Sequence, residues 1–221
     1  MELFRRIVLV AALAGLAAGL AMTALQQVGT VPLILQAETY EAKDHPADHQ
    51  HEQAWEPADG AERLAFTAAA NVLSAIGFAL LLVAAGELRG GIATWREGVL
   101  WGLAGFAIFT LAPSLGLPPE LPAMPAAPLG ARQAWWLATV VTTAGGLALL
   151  AFRRGLPWVA LAAVLLVAPH LIGAPQPASH ESPVPAALAR QFVAAVVSTS
   201  LVFWILLGGL AGFVRTRLAT R

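Results

Sequence analysis

Six long stretches of this 221-residue chain contain no Asp, Glu, Lys or Arg. A transmembrane helix needs about 20 mostly apolar residues, and the stretches have that character. Charged residues are 12% of the chain, against roughly 25% in soluble domains, which excludes a water-soluble fold. The sequence predicts an all-α, polytopic membrane helical bundle forming one domain, 1–221. Its six transmembrane helices are expected at about 7–26, 64–86, 98–112, 133–152, 156–172 and 191–214.

The basic residues assign the connections to the two sides of the membrane, because cytoplasmic loops are rich in Arg and Lys. Nine of the 13 basic residues fall on one side: Arg5, Arg6, Arg89, Arg96, Arg153, Arg154, Arg215, Arg217 and Arg221. We therefore expect both termini in the cytoplasm, with external loops at 36–63, 113–132 and 174–190. The first stretch also resembles a signal peptide, but it is long and no clear small-residue cleavage site ends it.

The acidic residues show the opposite distribution. Ten of the 13 Asp and Glu residues, and all five His, fall in the external half of this topology. The net charge of zero is thus a cancellation across the membrane, and it gives no basic excess of the kind that nucleic-acid binding requires. An acidic external face raises the local concentration of cations.

The first external loop combines His with carboxylates, which suit divalent first-row metals. We single out Glu38 and Glu41 together with His45, His49 and His51 as candidate ligands. His45 and His49 would share a helical face, whereas His49 and His51 would share a face only in an extended chain. The spacing therefore favours a flexible metal-collecting arm. The alternative is a solvated acidic loop in which the His residues are incidental.

Three further polar residues lie at the outer ends of the spans. His170 sits between Pro169 and Gly173, where Pro169 can break the helix and free carbonyls beside a metal ligand; alternatively, His170 caps a helix end. Gln26 and Gln27 either line an ion pathway or hydrogen-bond a neighbouring helix. The same two alternatives apply to Asn71, in the second span.

The second external loop is apolar and contains six of the 15 Pro residues, so regular helix is not expected there. Such a segment should fold onto the bundle, where it would act as a lid. Trp135 and Trp136 would then lie at the membrane interface. Glu120, the only acid in this loop, either serves as a gate ligand or pairs with Arg132.

Pairs of glycines four residues apart allow close helix packing. Such pairs are Gly15 with Gly19, Gly98 with Gly102 and Gly208 with Gly212. The packing is expected inside the bundle, the alternative being a subunit interface.

Several chemistries are absent from the sequence. There is no Cys, which excludes disulfides and thiolate metal sites, and only three Met, which disfavours copper(I). The chain has no phosphate-binding loop, no HExxH and no GxSxG motif. We therefore expect a protein that is not an enzyme and has no permanently bound cofactor. A membrane enzyme with an external metal is the less favoured alternative.

Six sequence strings resemble the probable cobalt transporter subunit family, CbtA. They are QQ…VPLILQAETYE, WEPADGAER, WGLAGFAIFTLAPSLGLPPELPAMP, ARQAWW, PHLIGAP and VPAALARQF, in order over nearly the whole chain. One departure is Ala123, where the family pattern leads us to expect Gly. The resemblance implies Co²⁺ uptake for cobalamin synthesis and a small, single-span, His-rich partner subunit, CbtB.

Together, the residues and the resemblance predict a bilayer-embedded subunit of a Co²⁺ uptake transporter. Ligand types alone do not separate Co²⁺ from Ni²⁺ or Zn²⁺. The alternative is a non-transporting metal-binding or assembly subunit, which is favoured by the scarcity of polar groups in the inner half of the spans.

Overall fold

A computed structural model describes residues 1–44 and 57–219. These ranges are helical and contain no β-strand. The helices are α1 (Glu2–Gly29), α2 (Val31–Asp44), α3 (Ala61–Glu87), α4 (Trp95–Phe106), α5 (Ala112–Ser114), α6 (Leu129–Phe152), α7 (Leu156–Ile172) and α8 (Ala186–Ala219). A π-helical turn, Ala107–Leu111, joins α4 to α5.

Five of the helical segments are long and apolar enough to cross a membrane: Glu2–Gly29, Ala61–Glu87, Trp95–Ser114, Leu129–Phe152 and Ala186–Leu218. The sixth predicted span corresponds to α7, which has only 17 residues. At about 1.5 Å per residue, α7 is roughly 25 Å long, somewhat shorter than the roughly 30 Å hydrocarbon core. The multi-pass helical character is thus confirmed, while a sixth crossing by α7 stays a prediction.

The predicted external loops contain more helix than the sequence suggested. Helix α2 covers residues up to Asp44, inside the loop expected at 36–63. Helix α6 begins at Leu129 and α8 at Ala186, so both start within predicted loops. Between Ser114 and Leu129 the Pro-rich segment has no regular helix, as the missing N–H groups of Pro require.

The contacts group the chain into two compact units, and the single domain stays a prediction. The first comprises Met1–Pro32, Ala42–Leu103 and Ser198–Arg221, and the second comprises Leu33–Glu41 and Ala104–Val197.

Glycine brings pairs of helices into backbone contact in the first unit. A Cβ atom added to Gly15 would lie 2.6 Å from the Cα of Ile76, and one added to Gly19 would lie 2.6 Å from the Cα of Val72, so α1 and α3 touch there. In the same way, Gly98 of α4 meets the backbone of Gly208 in α8. The predicted glycine pairs therefore serve packing within the chain.

The ends of three segments meet around one carboxylate in the first unit. Glu87, at the end of α3, accepts hydrogen bonds from Arg215 Nε at 2.6 Å and from Arg6 Nη2 at 3.2 Å. Arg215 also donates to the carbonyl of Ile92 at 2.9 Å. A buried cluster that includes Val10, Leu82 and Ala211 lies in the same unit.

The second unit has its own apolar cluster. Ala37 of α2, Leu121 of the Pro-rich segment and Val184 are buried together with Leu188 and Phe192 of α8. The three segments predicted to be external thus share a single core. The Pro-rich segment packs onto the helices, as its apolar composition suggested.

Substitution at the α1–α3 contact tests this packing. Gly19→Leu should lower the free energy of unfolding by about 1–3 kcal/mol or more, because the side chain would overlap the backbone of α3. The measurement is the apparent Tm in detergent. Gly77→Leu on α3 is the matched control, since no atom of the described residues lies within 4 Å of a Cβ atom there. Equal Tm values for the two variants would contradict the packing.

Candidate functional site

The outer ends of α6 and α7 meet at Trp135, which is buried. Its indole Nε1 donates a hydrogen bond to the Pro169 carbonyl at 3.2 Å. The His170 imidazole lies edge-on to the same indole, with ring centroids 5.9 Å apart and an interplanar angle of 70°. The sequence predicts Trp135 at the membrane interface but gives no sign of this contact, which only the pairing of α6 with α7 creates.

Helix α7 continues through Pro169 to Ile172, so the expectation of a break at Pro169 is wrong. The backbone N–H of Gly173 donates to the Pro169 carbonyl at 3.1 Å, and Gly173 ends the helix with a φ of 86°. Proline still alters the helix, because it has no N–H and the Leu165 carbonyl therefore lacks its usual partner one turn later. The Leu165 carbonyl and the His170 imidazole thus lie about one turn apart near the end of α7.

The imidazole of His170 is half-buried. Among residues 1–44 and 57–219, no hydrogen bond or ion pair involves either of its nitrogens. The His170 ring lies against Trp135, and the adjacent Pro169 carbonyl is bonded by Trp135 and Gly173, so the imidazole has a fixed place at the end of α7. An imidazole nitrogen is a group that could hold a divalent metal.

The Pro-rich segment packs directly on this site. A Cβ atom added to Gly116 would lie 2.6 Å from Cζ2 of Trp135 and 3.0 Å from the Cβ of Ala174. Only glycine allows that approach. The turn around Gly116 is closed by a hydrogen bond from the Leu117 N–H to the Pro113 carbonyl at 2.8 Å.

Glu120 is engaged in an ion pair. Arg132 Nη2 lies 2.9 Å from Glu120 Oε2, and both side chains are partly buried. This is the pairing that the sequence left open as an alternative to a gate ligand. Arg132 is on the first turns of α6, so this helix end holds both the Pro-rich segment and, through Trp135, the end of α7.

Gln26 bonds a neighbouring helix. Asn71 Nδ2 of α3 donates to Gln26 Oε1 at 2.7 Å and to Thr23 Oγ1 at 3.0 Å. The Thr23 hydroxyl donates to the Gly19 carbonyl at 2.9 Å. The side-chain oxygen of Gln26 therefore accepts a hydrogen bond that links α1 to α3, whereas Gln27 is exposed.

The remaining predicted ligands lie on or after α2. Glu38 is partly buried in this helix and Glu41 lies in its last turns. His45, His49 and His51 lie outside the described residues, as does the side chain of Glu41. In the described part of the chain, no group of three or more His, Asp or Glu side chains is placed to hold one metal ion.

These observations define a polytopic helical membrane protein with a positioned imidazole at the end of an apolar helix. The chain belongs to the probable cobalt transporter subunit family, CbtA, whose family model matches residues 4–216. The match covers nearly the whole chain, and the resemblance seen in the sequence is confirmed. No curated protein and no solved structure is similar enough to the chain to count as a match.

The contact of Trp135 with Pro169 can be tested by Trp135→Phe, which keeps an aromatic ring but removes the N–H donor. We expect a loss of at least about 1 kcal/mol in the free energy of unfolding, because the variant loses a buried hydrogen bond and the ring atoms packed against Gly116. Trp136→Phe is the control on the adjacent, partly exposed indole. An apparent Tm that falls equally in both variants would contradict a specific role for the Trp135 N–H.

Proposed function

We propose that this chain is the membrane subunit of a bacterial Co²⁺ uptake transporter that supplies cobalamin synthesis. The observation that carries the proposal is the match of residues 4–216 to the cobalt transporter subunit family. Five helices able to cross a membrane are consistent with it. Co²⁺ is then the transported substrate, with Ni²⁺ as the competing ion of similar ligand preference.

The proposed topology has six crossings, with both termini in the cytoplasm of the inner membrane. Two groupings support it. In the first unit, the start of α1, the end of α3 and the end of α8 are joined through Glu87. In the second unit, α2, the Pro-rich segment and the start of α8 share one core. Both groupings join ends that the topology assigns to the same side.

Cysteine labelling tests this topology without background, because the chain has no native Cys. Thr39→Cys and Ser179→Cys, at exposed positions, should react with a membrane-impermeant maleimide in intact spheroplasts. Arg154→Cys should react only after permeabilisation. Labelling of Arg154→Cys in sealed cells would refute the proposed orientation.

We place cation collection at the external face. Helix α2 is anchored by Ala37 in the apolar core of the second unit, and it carries Glu38 and Glu41. The His residues at 45, 49 and 51 follow directly in the chain, so the arm would start from a fixed base. Carboxylates and imidazoles together suit a first-row divalent cation.

We assign His170 as the ligand that receives the cation from the arm. Its nitrogens have no partner in the part of the chain that the structure describes, and its ring is held by Trp135. Glu120 would join as a ligand when its ion pair with Arg132 opens. Gln26 and Gln27 are the proposed amide groups of the path in the first unit, where Gln26 would also have to exchange its bond to Asn71.

Measurement of Co²⁺ uptake tests these ligand assignments directly. In a strain lacking other cobalt importers, His170→Ala and the triple variant His45→Ala/His49→Ala/His51→Ala should each reduce initial uptake at limiting Co²⁺, because each removes proposed ligands. Excess Ni²⁺ should compete with Co²⁺. His180→Ala, an exposed His in the third external loop, is the matched control and should transport normally.

Unchanged uptake in both ligand variants would remove the site assignments. Unchanged uptake on deletion of the whole chain would refute the transport proposal itself.

A non-transporting assembly subunit is the second candidate. It is favoured by the lack of any three-residue metal group in the described ranges. Flux of Co²⁺ into vesicles containing only the purified chain would exclude it. Flux that requires a CbtB-like partner would assign the path at least partly to that partner.

A further inference from the structure

Two guanidinium groups share the carboxylate of Glu87, where the start of α1 meets the ends of α3 and α8. Arg6 Nη2 and Arg215 Nη2 both lie 3.2 Å from the same oxygen, Glu87 Oε2. The cluster is largely removed from solvent, with 9% of the Glu87 side chain, 12% of Arg215 and 34% of Arg6 exposed. One negative charge therefore faces two positive charges in a partly buried place, and the cluster has an excess of one positive charge.

The other acids assigned to this side of the membrane do not balance the excess. Glu2 pairs with Arg5, and both of these side chains are exposed. The Glu97 carboxylate accepts a hydrogen bond from the Ala93 N–H at 2.8 Å, at the start of α4. Among the described residues, Glu87 is thus the acid that pairs with Arg6.

The excess charge falls on Arg6. Arg215 also bonds the carbonyls of Ile92 and Gly90, at 2.9 and 3.5 Å. Arg6 has only its bond to Glu87 within the described ranges, and its Nε is buried without a hydrogen-bond partner. Burial of part of a guanidinium is unfavourable unless the charge is balanced and the N–H groups are bonded. The Nη1 atom of Arg6 is neither bonded nor buried there, so it is open to a ligand from outside.

Exposed apolar side chains adjoin the cluster in the chain. Phe4, two residues before Arg6, is 73% exposed, and Leu88, directly after Glu87, is 88% exposed. A lipid places acyl chains beside its headgroup phosphate and would cover such side chains, whereas a free anion would not. The proposed orientation puts this end of the helices at the cytoplasmic leaflet, which carries anionic lipids.

We propose that Arg6 binds the headgroup phosphate of an anionic phospholipid at this cluster. A phosphate oxygen would accept a hydrogen bond from Arg6 Nη1 and supply the negative charge that Glu87 alone does not provide. Guanidinium N–H groups match phosphate oxygens in geometry and charge. Bound lipid would stabilise the meeting point of α1, α3 and α8. The site shares no residue with the proposed cobalt ligands, and only the choice of leaflet rests on the proposed orientation.

Thermal stability of the full chain in lipid nanodiscs tests the site. For wild type, the apparent Tm should be about 2–4 °C higher in phosphatidylglycerol than in phosphatidylcholine, because a ligand of the folded state raises Tm. Arg6→Gln removes the excess charge and keeps an N–H donor for Glu87, so this difference between the lipids should disappear. Arg5→Gln is the matched control, since it removes the same charge from an exposed pair one residue away and should keep the difference. Arg6→Lys, which keeps the charge, should keep most of the difference.

Four outcomes would overturn the proposal. The first is a wild-type Tm that is equal in the two lipids, a result that needs no variant. The second is a Tm of Arg6→Gln that falls equally in both lipids and leaves their difference unchanged, as a purely structural role predicts. The third is equal loss of the difference in Arg5→Gln and Arg6→Gln, which would assign the effect to general surface charge. The fourth is a Tm rise with inorganic phosphate in phosphatidylcholine that equals the rise in phosphatidylglycerol, which would identify a free anion as the ligand.

Discussion

Close contact between helix backbones at glycine is the interaction on which the first unit depends. In an apolar solvent the hydrophobic effect does not draw helices together, so packing and interhelical hydrogen bonds must do it. Gly15 and Gly19 let α1 lie against α3, and this proximity lets Asn71 reach both Gln26 and Thr23. The same principle operates where Gly98 meets α8. Asn71 can therefore bond Gln26 and Thr23 because small residues bring α1 and α3 together.

In the second unit, the start of α6 holds the surrounding segments. Arg132 binds Glu120 of the Pro-rich segment, and Trp135 binds the end of α7. Gly116 fits against Trp135 where no other residue would. His170 takes its position from these contacts, although none of them is made by the imidazole nitrogens. If His170 binds a metal as we propose, an imidazole already held in place by its surroundings needs little rearrangement to do so.

The sequence predicted the helical membrane class, the family and most helix positions, because long apolar stretches and basic loops are local signals. It did not predict helix α2, which continues to Asp44 within the first predicted external loop, because α2 starts with apolar residues and ends with charged ones. It also predicted a break at Pro169 where the helix continues to Ile172. The missing amide of a proline removes one bond, and the bonds from Gly173 and Trp135 to the Pro169 carbonyl hold the following turn.

The sequence by itself determined that this chain is apolar and contains no thiol chemistry, and it predicts that the His residues and most acids lie in one half of the topology. These properties follow from composition and order along the chain. Only the tertiary structure decided which polar groups are bonded within the chain. Gln26 is hydrogen-bonded to Asn71, Glu120 is paired with Arg132, and Glu87 is paired with Arg215. It also left the hydroxyl of Thr143 without a hydrogen-bond partner in the described residues. Partners 45 or 128 residues apart in the chain are set by helix packing, which no local pattern encodes.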